Sequence, residues 1–256
     1  MFRDYFTKIR TALQVIEEQE EASIKRAASA VSTSIEQGKI VHVFGCGHSH
    51  MMAEEVFYRA GGLVPIRPIL IEDLMLHRGG TRSSALERTN DLAEGFMANQ
   101  DIQKGDVVIV VSTSGRNPVP VDVALLSKER GAYVIGLTSR TASIGQPSRQ
   151  KEGLYLYEAV DLVIDNHVEP GDAVMQDPEN LISFGSTSTV IGMGIMNAIT
   201  VEAIHQLIER GIDPPVLKSG NVDGSDESNR VLIEKYKSRI PLLENRADSA
   251  KKAPLD

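Results

Sequence analysis

The chain contains one cysteine, Cys46, so no disulfide can form within it. Scarce cysteine is typical of a reducing compartment, and we therefore expect a cytoplasmic protein. The first residues, MFRDYFTKIR, lack the basic head, apolar core and small-residue cleavage site of a signal peptide. Since no apolar run approaches the roughly 18 residues that span a bilayer, we also expect no membrane partner.

Negative charge outweighs positive charge: the chain has 27 Lys and Arg against 35 Asp and Glu, and a formal net charge of −8. Nucleic-acid binding requires a basic surface, so we expect no nucleic-acid partner. Hydrophobic residues make up 41% of the 256 positions, which is enough to form the core of an α/β domain with extensions.

Residues 1–37 form a predicted helical segment. Phe6, Ile9, Leu13 and Ile16 recur at the three- and four-residue spacing of a helix face, and the pattern continues to residue 35. Gly38 would end it. We predict one long helix, or two, covering part of the main domain or a neighbouring subunit.

Residues 38–211 alternate between short apolar runs and helical patterns. The predicted strands are Ile40–Phe44, Val64–Ile71, Val107–Val111, Tyr133–Thr138 and Leu162–Ile164. The predicted helices are His50–Ala60, Ser83–Ala98, Val119–Arg130 and Thr187–Arg210. This alternation predicts an α/β three-layer sandwich with a mainly parallel five-stranded sheet. Pro65 and Pro68 place the second strand near a sheet edge or make it irregular.

Two remaining stretches carry weaker patterns. Ser139–Gly153 is polar and predicts an exposed loop, whereas Gly211–Ser228 predicts a loop or extended arm. A short helix, Ser228–Ser238, follows within a C-terminal unit of residues 212–256. The closing ENRADSAKKAPLD is polar and predicts a frayed end.

Two turns rich in glycine and hydroxyl residues follow predicted strands. GCGHS (45–49) follows the first strand and STSGRN (112–117) follows Val107–Val111. Ligands of open parallel sheets bind beyond the carboxyl ends of the strands, and a helix N-terminus suits an anion. The pair therefore predicts a phosphate site, although an ordinary solvated turn with a helix N-cap would give either pattern alone. Neither GxxxxGK[ST] nor GxGxxG occurs, and we expect no nucleotide or redox cofactor.

A metal is the alternative ligand for the first turn. Cys46, His48 and His50 stand at alternate positions and could offer ligands to zinc. Zinc sites need three or four ligands of fixed geometry, and neither CxxC nor HExxH is present. The glycines favour an anion turn instead, so we expect no metal.

The chain resembles the SIS family, the sugar isomerase domains that bind phosphosugars, over roughly residues 35–210. The matching pieces are GCGHS, STSGRN and GSTST (185–189). Within the family it is similar to phosphoheptose-isomerase-like members, through GCGHSHMMAEEV and EAIHQLIE (202–209). The resemblance implies a flavodoxin-like fold, a phosphorylated sugar as ligand, and a homodimer or homotetramer.

The resemblance also implies site residues. The implied substrate-binding residues are Gly45, Gly47, His48, Ser49, Ser112, Thr113, Ser114, Gly115, Asn117, Ser186 and Thr187. Glu55 and His205 are the implied catalytic pair. A solvated helix face for Glu55, and a packing or surface role for His205, are the competing interpretations. Because His205 lies far along the last helix, we expect it to serve a neighbouring subunit's site.

The predicted function is aldose–ketose isomerisation of a sugar phosphate, without a redox cofactor. A carboxylate and an imidazole would move a proton between C1 and C2 through an enediol(ate). Two alternatives stay open: a lyase, etherase or deaminase acting on an amino-sugar phosphate, and a sensor that only binds sugar phosphate. The acidic N-terminal segment offers no basic recognition surface, which disfavours the sensor. DNHVEPGDAV (165–174) matches no catalytic motif.

Overall fold

Five parallel strands form the central sheet of the structure, a computed structural model that describes residues 1–244. They lie in the order β2-β1-β3-β4-β5. Their bounds are β1 Val41–Gly45, β2 Ile66–Ile69, β3 Val107–Val111, β4 Tyr133–Thr138 and β5 Leu162–Asp165. The predicted α/β fold is confirmed, and the strand order is that of flavodoxin-like proteins.

The proline-containing strand β2 lies at the edge of the sheet, as its sequence predicted. Pro68 stands opposite Val43 of β1 and has no N–H to donate. An edge position tolerates this because only one neighbouring strand requires hydrogen bonds.

Helices cover both faces of the sheet. One layer consists of α1 Phe2–Gln19, α2 Glu21–Glu36, α3 Met51–Val56 and α9 Ser188–Glu209. The other consists of α4 Gly80–Glu87, α5 Leu92–Met97, α6 Pro118–Glu129 and α8 Leu156–Ala159. Outside the layers lie α7 Arg140–Ile144, α10 Ser225–Tyr236 and a small hairpin, β6 Met175–Gln176 with β7 Ser183–Phe184. Short 3₁₀ turns occupy Gly47–His50, Glu72–Leu74, Leu76–Arg78 and Pro241–Leu243.

Two apolar cores hold these layers together. Val31 of α2 and Ile195 of α9 pack against one face of the sheet with Val43 of β1. On the other face, Val108 of β3 packs with Val121 of α6. Because β3 is buried on both faces, its sequence is a continuous apolar run instead of an alternating one.

The N-terminal segment is two helices, divided at Glu20. Glu20 is buried, and its carboxylate accepts hydrogen bonds from the backbone N–H of Asp165 at 3.3 Å and from His167 Nε2 at 3.1 Å. These bonds connect the break to the end of β5 and to the residues that follow it. The segment therefore packs on its own domain.

Two predicted helices were too long. The first ends at Val56, since Phe57 is extended and Tyr58 takes a left-handed φ of 51°. The stretch predicted as Ser83–Ala98 is two helices, α4 and α5, separated by Asp91 with a φ of 65°. Asn90 beside this break accepts a hydrogen bond from the backbone N–H of Lys151 at 2.9 Å.

The predicted exposed loop Ser139–Gly153 was partly wrong. Ser139 and Ser143 are buried, and Arg140–Ile144 forms the short helix α7. The Ser139 hydroxyl caps this helix by accepting from the backbone N–H of Ala142 at 3.0 Å. At the chain's end, Ser225–Tyr236 replaces the predicted helix Ser228–Ser238, and the tail after residue 244 lies outside the described residues.

Helix α9 corrects the expectation about apolar runs. Its 22 residues are long and apolar enough, by composition, to cross a membrane. In the fold, its residues Ile191, Ile195 and Ile199 are buried among α2, α3 and the sheet. A core helix passes the same composition test, so one such helix is weak support for a membrane span.

Arg239 joins the C-terminal segment to the amino end of the sheet. Its guanidinium donates to the two carboxylate oxygens of Asp106 at 2.8 and 3.0 Å. Asp106 is fully buried and also accepts from the backbone N–H groups of Ile40 at 3.2 Å and Gln103 at 2.8 Å. His42 Nε2 lies 3.2 Å from the same carboxylate. Burial alone would raise the pKa of Asp106, but these hydrogen bonds outweigh it and hold the pKa well below its usual range.

We expect Arg239→Ala to lower the free energy of unfolding by about 3 kcal/mol, because it leaves a buried carboxylate without its cation. Arg230→Ala is the control; it breaks an exposed ion pair with Glu227 and should cost about 0–1 kcal/mol. A depressed carboxyl pKa contributes stability above the unfolded value and loses it in acid. The difference between wild type and Arg239→Ala should therefore shrink below about pH 4. Urea denaturation at several pH values measures both; equal losses in the two variants would contradict this account.

Candidate functional site

Two loops meet at the carboxyl end of the sheet, where the strand order reverses between β1 and β3. Gly45 pairs with Val111 in the parallel register, so the chain leaves both strands side by side. Neighbouring strands lie about 4.8 Å apart. Residues 45–50, the glycine loop, therefore adjoin residues 112–117, the phosphate loop. This switch point is where ligands of such sheets bind.

The glycine loop folds back tightly on the end of β1. A Cβ at Gly45 would come within 2.5 Å of the backbone carbonyl of Ser49. Gly47 has a left-handed φ of 55°. His48 is exposed, whereas Ser49 is half-buried and His50 is buried with Nδ1 against the carbonyl oxygen of Gly47. Glycine is thus required at position 45 to keep the turn this close.

The phosphate loop is shaped by the neighbouring strand. Gly115 has a φ of 56°, and a Cβ there would come within 2.6 Å of Thr138 Oγ1. The Ser112 hydroxyl accepts from the backbone N–H of Gly115 at 3.3 Å. The Thr113 hydroxyl accepts from Asn166 Nδ2 at 3.3 Å. Hydrogen bonds within the chain therefore hold the loop in this conformation.

Several donors of the phosphate loop are free. Within residues 1–244, the backbone N–H groups of Thr113, Ser114 and Arg116 meet no intramolecular acceptor, and neither does the Ser114 hydroxyl. Ser114 is only half-buried. Convergent free N–H and O–H groups at a helix N-terminus are the chemistry of an anion site.

The start of α9 is already occupied by a carboxylate. Asp172 Oδ1 accepts from the backbone N–H of Thr187 at 2.7 Å and of Ser188 at 3.0 Å. The hydroxyls of Thr187 and Ser188 bond the same carboxylate at 3.2 and 2.6 Å. Ser186 is exposed, and its carbonyl accepts from the Tyr5 hydroxyl at 2.6 Å. In this conformation the donors of Thr187 bind Asp172, so this predicted binding residue is engaged within the chain.

Glu55 lies on the last turn of α3, within two helical turns of the glycine loop. Its side chain is 19% exposed and contacts Arg59 at 3.4 Å. Asn197 of α9 donates to its other oxygen at 3.2 Å. Glu54, which is half-exposed, lies 3.8 Å from His50. Glu55 is thus fixed by the core helix, unlike a freely solvated carboxylate.

His205 lies away from both loops of its own chain. Its side chain is 61% exposed and contacts Glu209, one turn further along α9, at 3.3 Å. Seventeen residues of helix separate it from Ser188, a distance of about 26 Å. Asn197, which bonds Glu55, precedes His205 by eight residues of the same helix, about 12 Å, so one chain does not bring Glu55 and His205 together.

Glu87, which the sequence analysis missed, lies between the two loops. Asn117 at the end of the phosphate loop donates to Glu87 Oε1 at 3.0 Å. Arg149 holds Asn117 from its other side at 2.9 Å. Burial raises the pKa of the Glu87 carboxyl, against the lowering effects of Asn117, Arg88 and Arg149. Burial, together with the negative charge of Glu87, also raises the pKa of the Cys46 thiol.

No group of three or more His, Cys, Asp and Glu side chains in the described part of the chain is arranged to hold a metal ion. Cys46 is buried, while His48 is exposed. His50 is buried as well, so the three side chains considered as zinc ligands do not share one environment.

Comparison with known proteins identifies the family. A family model described as the SIS domain matches residues 4–139, more than half of the chain. The chain belongs to the SIS domain family. A UPF0309 protein of Halalkalibacterium halodurans is 55% identical over 98% of this chain and 100% of its own length. A second UPF0309 protein, of Geobacillus kaustophilus, is 56% identical over 95% of this chain and 97% of its own. The name UPF0309 does not state a reaction.

Solved structures support the SIS fold. The phosphoheptose isomerase of Neisseria gonorrhoeae matches 80% of this chain and 97% of its own with a TM-score of 0.53 and 16% identity. A candidate phosphosugar isomerase of Silicibacter pomeroyi matches 82% of this chain with a TM-score of 0.55 and 16% identity, and this chain spans about half (52%) of its length. At this identity the likeness shows the fold alone. The predicted resemblance to SIS proteins, including phosphoheptose isomerases, is confirmed at that level.

Proposed function

We propose that this SIS protein binds a phosphorylated sugar between the glycine loop and the phosphate loop and isomerises it between aldose and ketose. The observation that carries the proposal is the group of free N–H and O–H donors at Thr113, Ser114 and Arg116, placed at the switch point of the sheet. Phosphate binds such donors through short, charge-assisted hydrogen bonds.

The glycine loop would hold the sugar end of the ligand. It adjoins the phosphate loop through the β1–β3 pair, and it exposes His48 and half-exposes Ser49. Imidazole and hydroxyl groups suit sugar hydroxyls, which both donate and accept. Glu55, within two turns of this loop, is the proposed base that moves the proton between C1 and C2.

The protein is proposed to work as a homodimer or homotetramer. Phe2 and Phe6 of α1 and Val201 and Ile208 of α9 are exposed large apolar side chains on the outer helices. Such apolar surface favours a partner subunit. Light scattering at micromolar concentration should give a dimer or tetramer mass, and a monomer would contradict this proposal.

A ligand panel separates isomerisation from the alternatives. We expect at least one sugar phosphate among hexose 6-phosphates, their N-acetylamino derivatives and heptose 7-phosphates to raise the melting temperature and to be converted, as followed by NMR. Inorganic phosphate and the unphosphorylated sugars are the controls. Conversion to a cleaved or deaminated product would replace the isomerase with the lyase or deaminase. Thermal stabilisation without any conversion would favour the sensor.

A further inference from the structure

Helix α4 lies across both loops of the site. A Cβ at Gly47 in the glycine loop would come within 4.0 Å of Ser83 Oγ on α4. One turn later, Glu87 accepts from Asn117 Nδ2 at the end of the phosphate loop. Ser83 is buried and its hydroxyl donates to the carbonyl of Leu74 at 2.7 Å, which fixes the helix in place. Glu87 is thus positioned by a rigid helix at the junction of the loops.

Only one carboxylate oxygen of Glu87 is engaged. Asn117 bonds Oε1, whereas Oε2 accepts no hydrogen bond within residues 1–244. The buried side-chain polar atoms without a partner in that part of the chain are His42 Nδ1 and Asp122 Oδ2. Since Glu87 Oε2 is not among them, it reaches solvent. One oxygen is held and the other is free to meet a ligand.

Ionisable groups of three segments interact with Glu87. Arg88 follows it on α4, Arg149 reaches Asn117 from the segment after α7, and the charge of Glu87 acts on the Cys46 thiol of the glycine loop. Its direct hydrogen-bond donor, Asn117, is a neutral amide. By contrast, Glu55 contacts the Arg59 cation directly. Glu87 and Glu55 therefore occupy different environments, as two groups with opposite acid–base roles do.

We propose that Glu87 is the general acid that opens the ring of the bound sugar phosphate, an inference that rests on the proposed function. The Glu87 carboxylic acid gives its proton to the ring oxygen while the bond from that oxygen to C1 breaks, and the bonding electrons stay on the oxygen. The C1 hydroxyl loses its proton to solvent and becomes the carbonyl. Glu87 then recovers a proton from solvent. Glu55 remains available for the later transfer between C1 and C2.

Glu87→Gln tests this role with little change of shape, because the amide oxygen can still accept from Asn117. We expect turnover of the converted sugar phosphate to fall by about 10²–10⁴ with KM changed little. The wild-type rate should decline as pH rises through the pKa of Glu87, because the acid form is needed, and that decline should be absent in the variant. Glu94→Gln on α5, an exposed carboxylate, is the control and should keep the wild-type rate.

Stability provides a second readout of the same variant. A carboxyl group whose pKa is raised by folding loses stability as pH rises from its unfolded to its folded value. Glu87→Gln removes that loss, so its melting temperature should exceed that of wild type at pH 8 and equal it at pH 4. Equal melting temperatures at pH 8 would contradict a Glu87 proton held to higher pH by burial, which the acid role requires.

The outcomes separate this inference from the proposed function. Glu87→Gln with wild-type turnover, or with the alkaline decline intact, would overturn the acid role while isomerisation stands. If a sugar phosphate binds but is not converted by wild type, isomerisation fails, and ¹³C NMR of the Glu87 carboxyl decides its role. That signal, assigned by its loss in the variant, should move when the bound sugar phosphate saturates the protein. A signal that does not move would show that Glu87 does not contact the ligand, which overturns this inference. If no sugar phosphate binds at all, both proposals are overturned.

Discussion

Ser114→Asp is expected to abolish the thermal stabilisation that sugar phosphates give, while the protein without ligand melts close to wild type. Ser114 is half-buried at the centre of the free donors, so its substitution places a carboxylate against the phosphate dianion. The ligand then loses several charge-assisted hydrogen bonds, each worth about 1.5–3 kcal/mol. We expect affinity to fall by ~100-fold or more.

Two controls accompany this substitution. Ser114→Ala removes one hydroxyl and leaves the backbone N–H groups, so it should weaken binding by only about tenfold. Ser29→Asp adds the same charge on the exposed face of α2, away from the loops, and should leave binding unchanged. Isothermal titration with the sugar phosphate chosen from the panel measures all three. If Ser114→Asp binds the sugar phosphate with wild-type affinity, the phosphate loop is not part of the binding site.

The strands were predictable because a buried strand is a continuous run of apolar residues. Val107–Val111 and Tyr133–Thr138 have the predicted bounds, since a strand covered on both faces must be apolar throughout. The two loops were predictable for a related reason. Glycine is needed at Gly45 and Gly115 because a Cβ would collide there with neighbouring atoms. Close backbone approach therefore leaves a pattern that can be recognised along the chain.

Features that depend on distant contacts left no such pattern. Glu20, at the helix break, bonds the end of β5 about 145 residues later along the chain. Glu87 belongs to no motif, and its importance follows from its contact with Asn117, 30 residues along the chain. Asp172 caps α9 from a segment whose sequence matches no catalytic motif. Each is a polar residue whose role is set by tertiary packing, which local periodicity does not record.

The proposed catalytic pair depends on assembly in the same way. Asn197 of α9 bonds Glu55, and His205 lies eight residues further along that helix, about 12 Å away. This helical rise separates His205 from the point at which α9 contacts Glu55, so one chain does not bring the two side chains to adjacent carbons of one sugar. We therefore propose that His205 completes the site of a neighbouring subunit, where its 61% exposed side chain could reach another chain's loops.

Mixing two inactive variants tests this arrangement. Glu55→Gln and His205→Ala each remove a proton-transfer group but spare the phosphate loop, so turnover should fall by about 10²–10⁴ while binding survives. In a dimer whose sites combine Glu55 of one chain with His205 of the other, a mixed dimer keeps one intact site. After subunit exchange, about one site in four should be intact, and activity should recover toward a quarter of wild type.

The mixing result is decided against matched controls. Glu54→Gln changes the neighbouring, half-exposed carboxylate on the same helix and should keep most of the activity. Each inactive variant exchanged with itself should stay inactive, which separates complementation from refolding during the exchange. Full activity in His205→Ala would remove the imidazole from the mechanism. If the two inactive variants never complement, the proposed site built from Glu55 of one chain and His205 of another is contradicted.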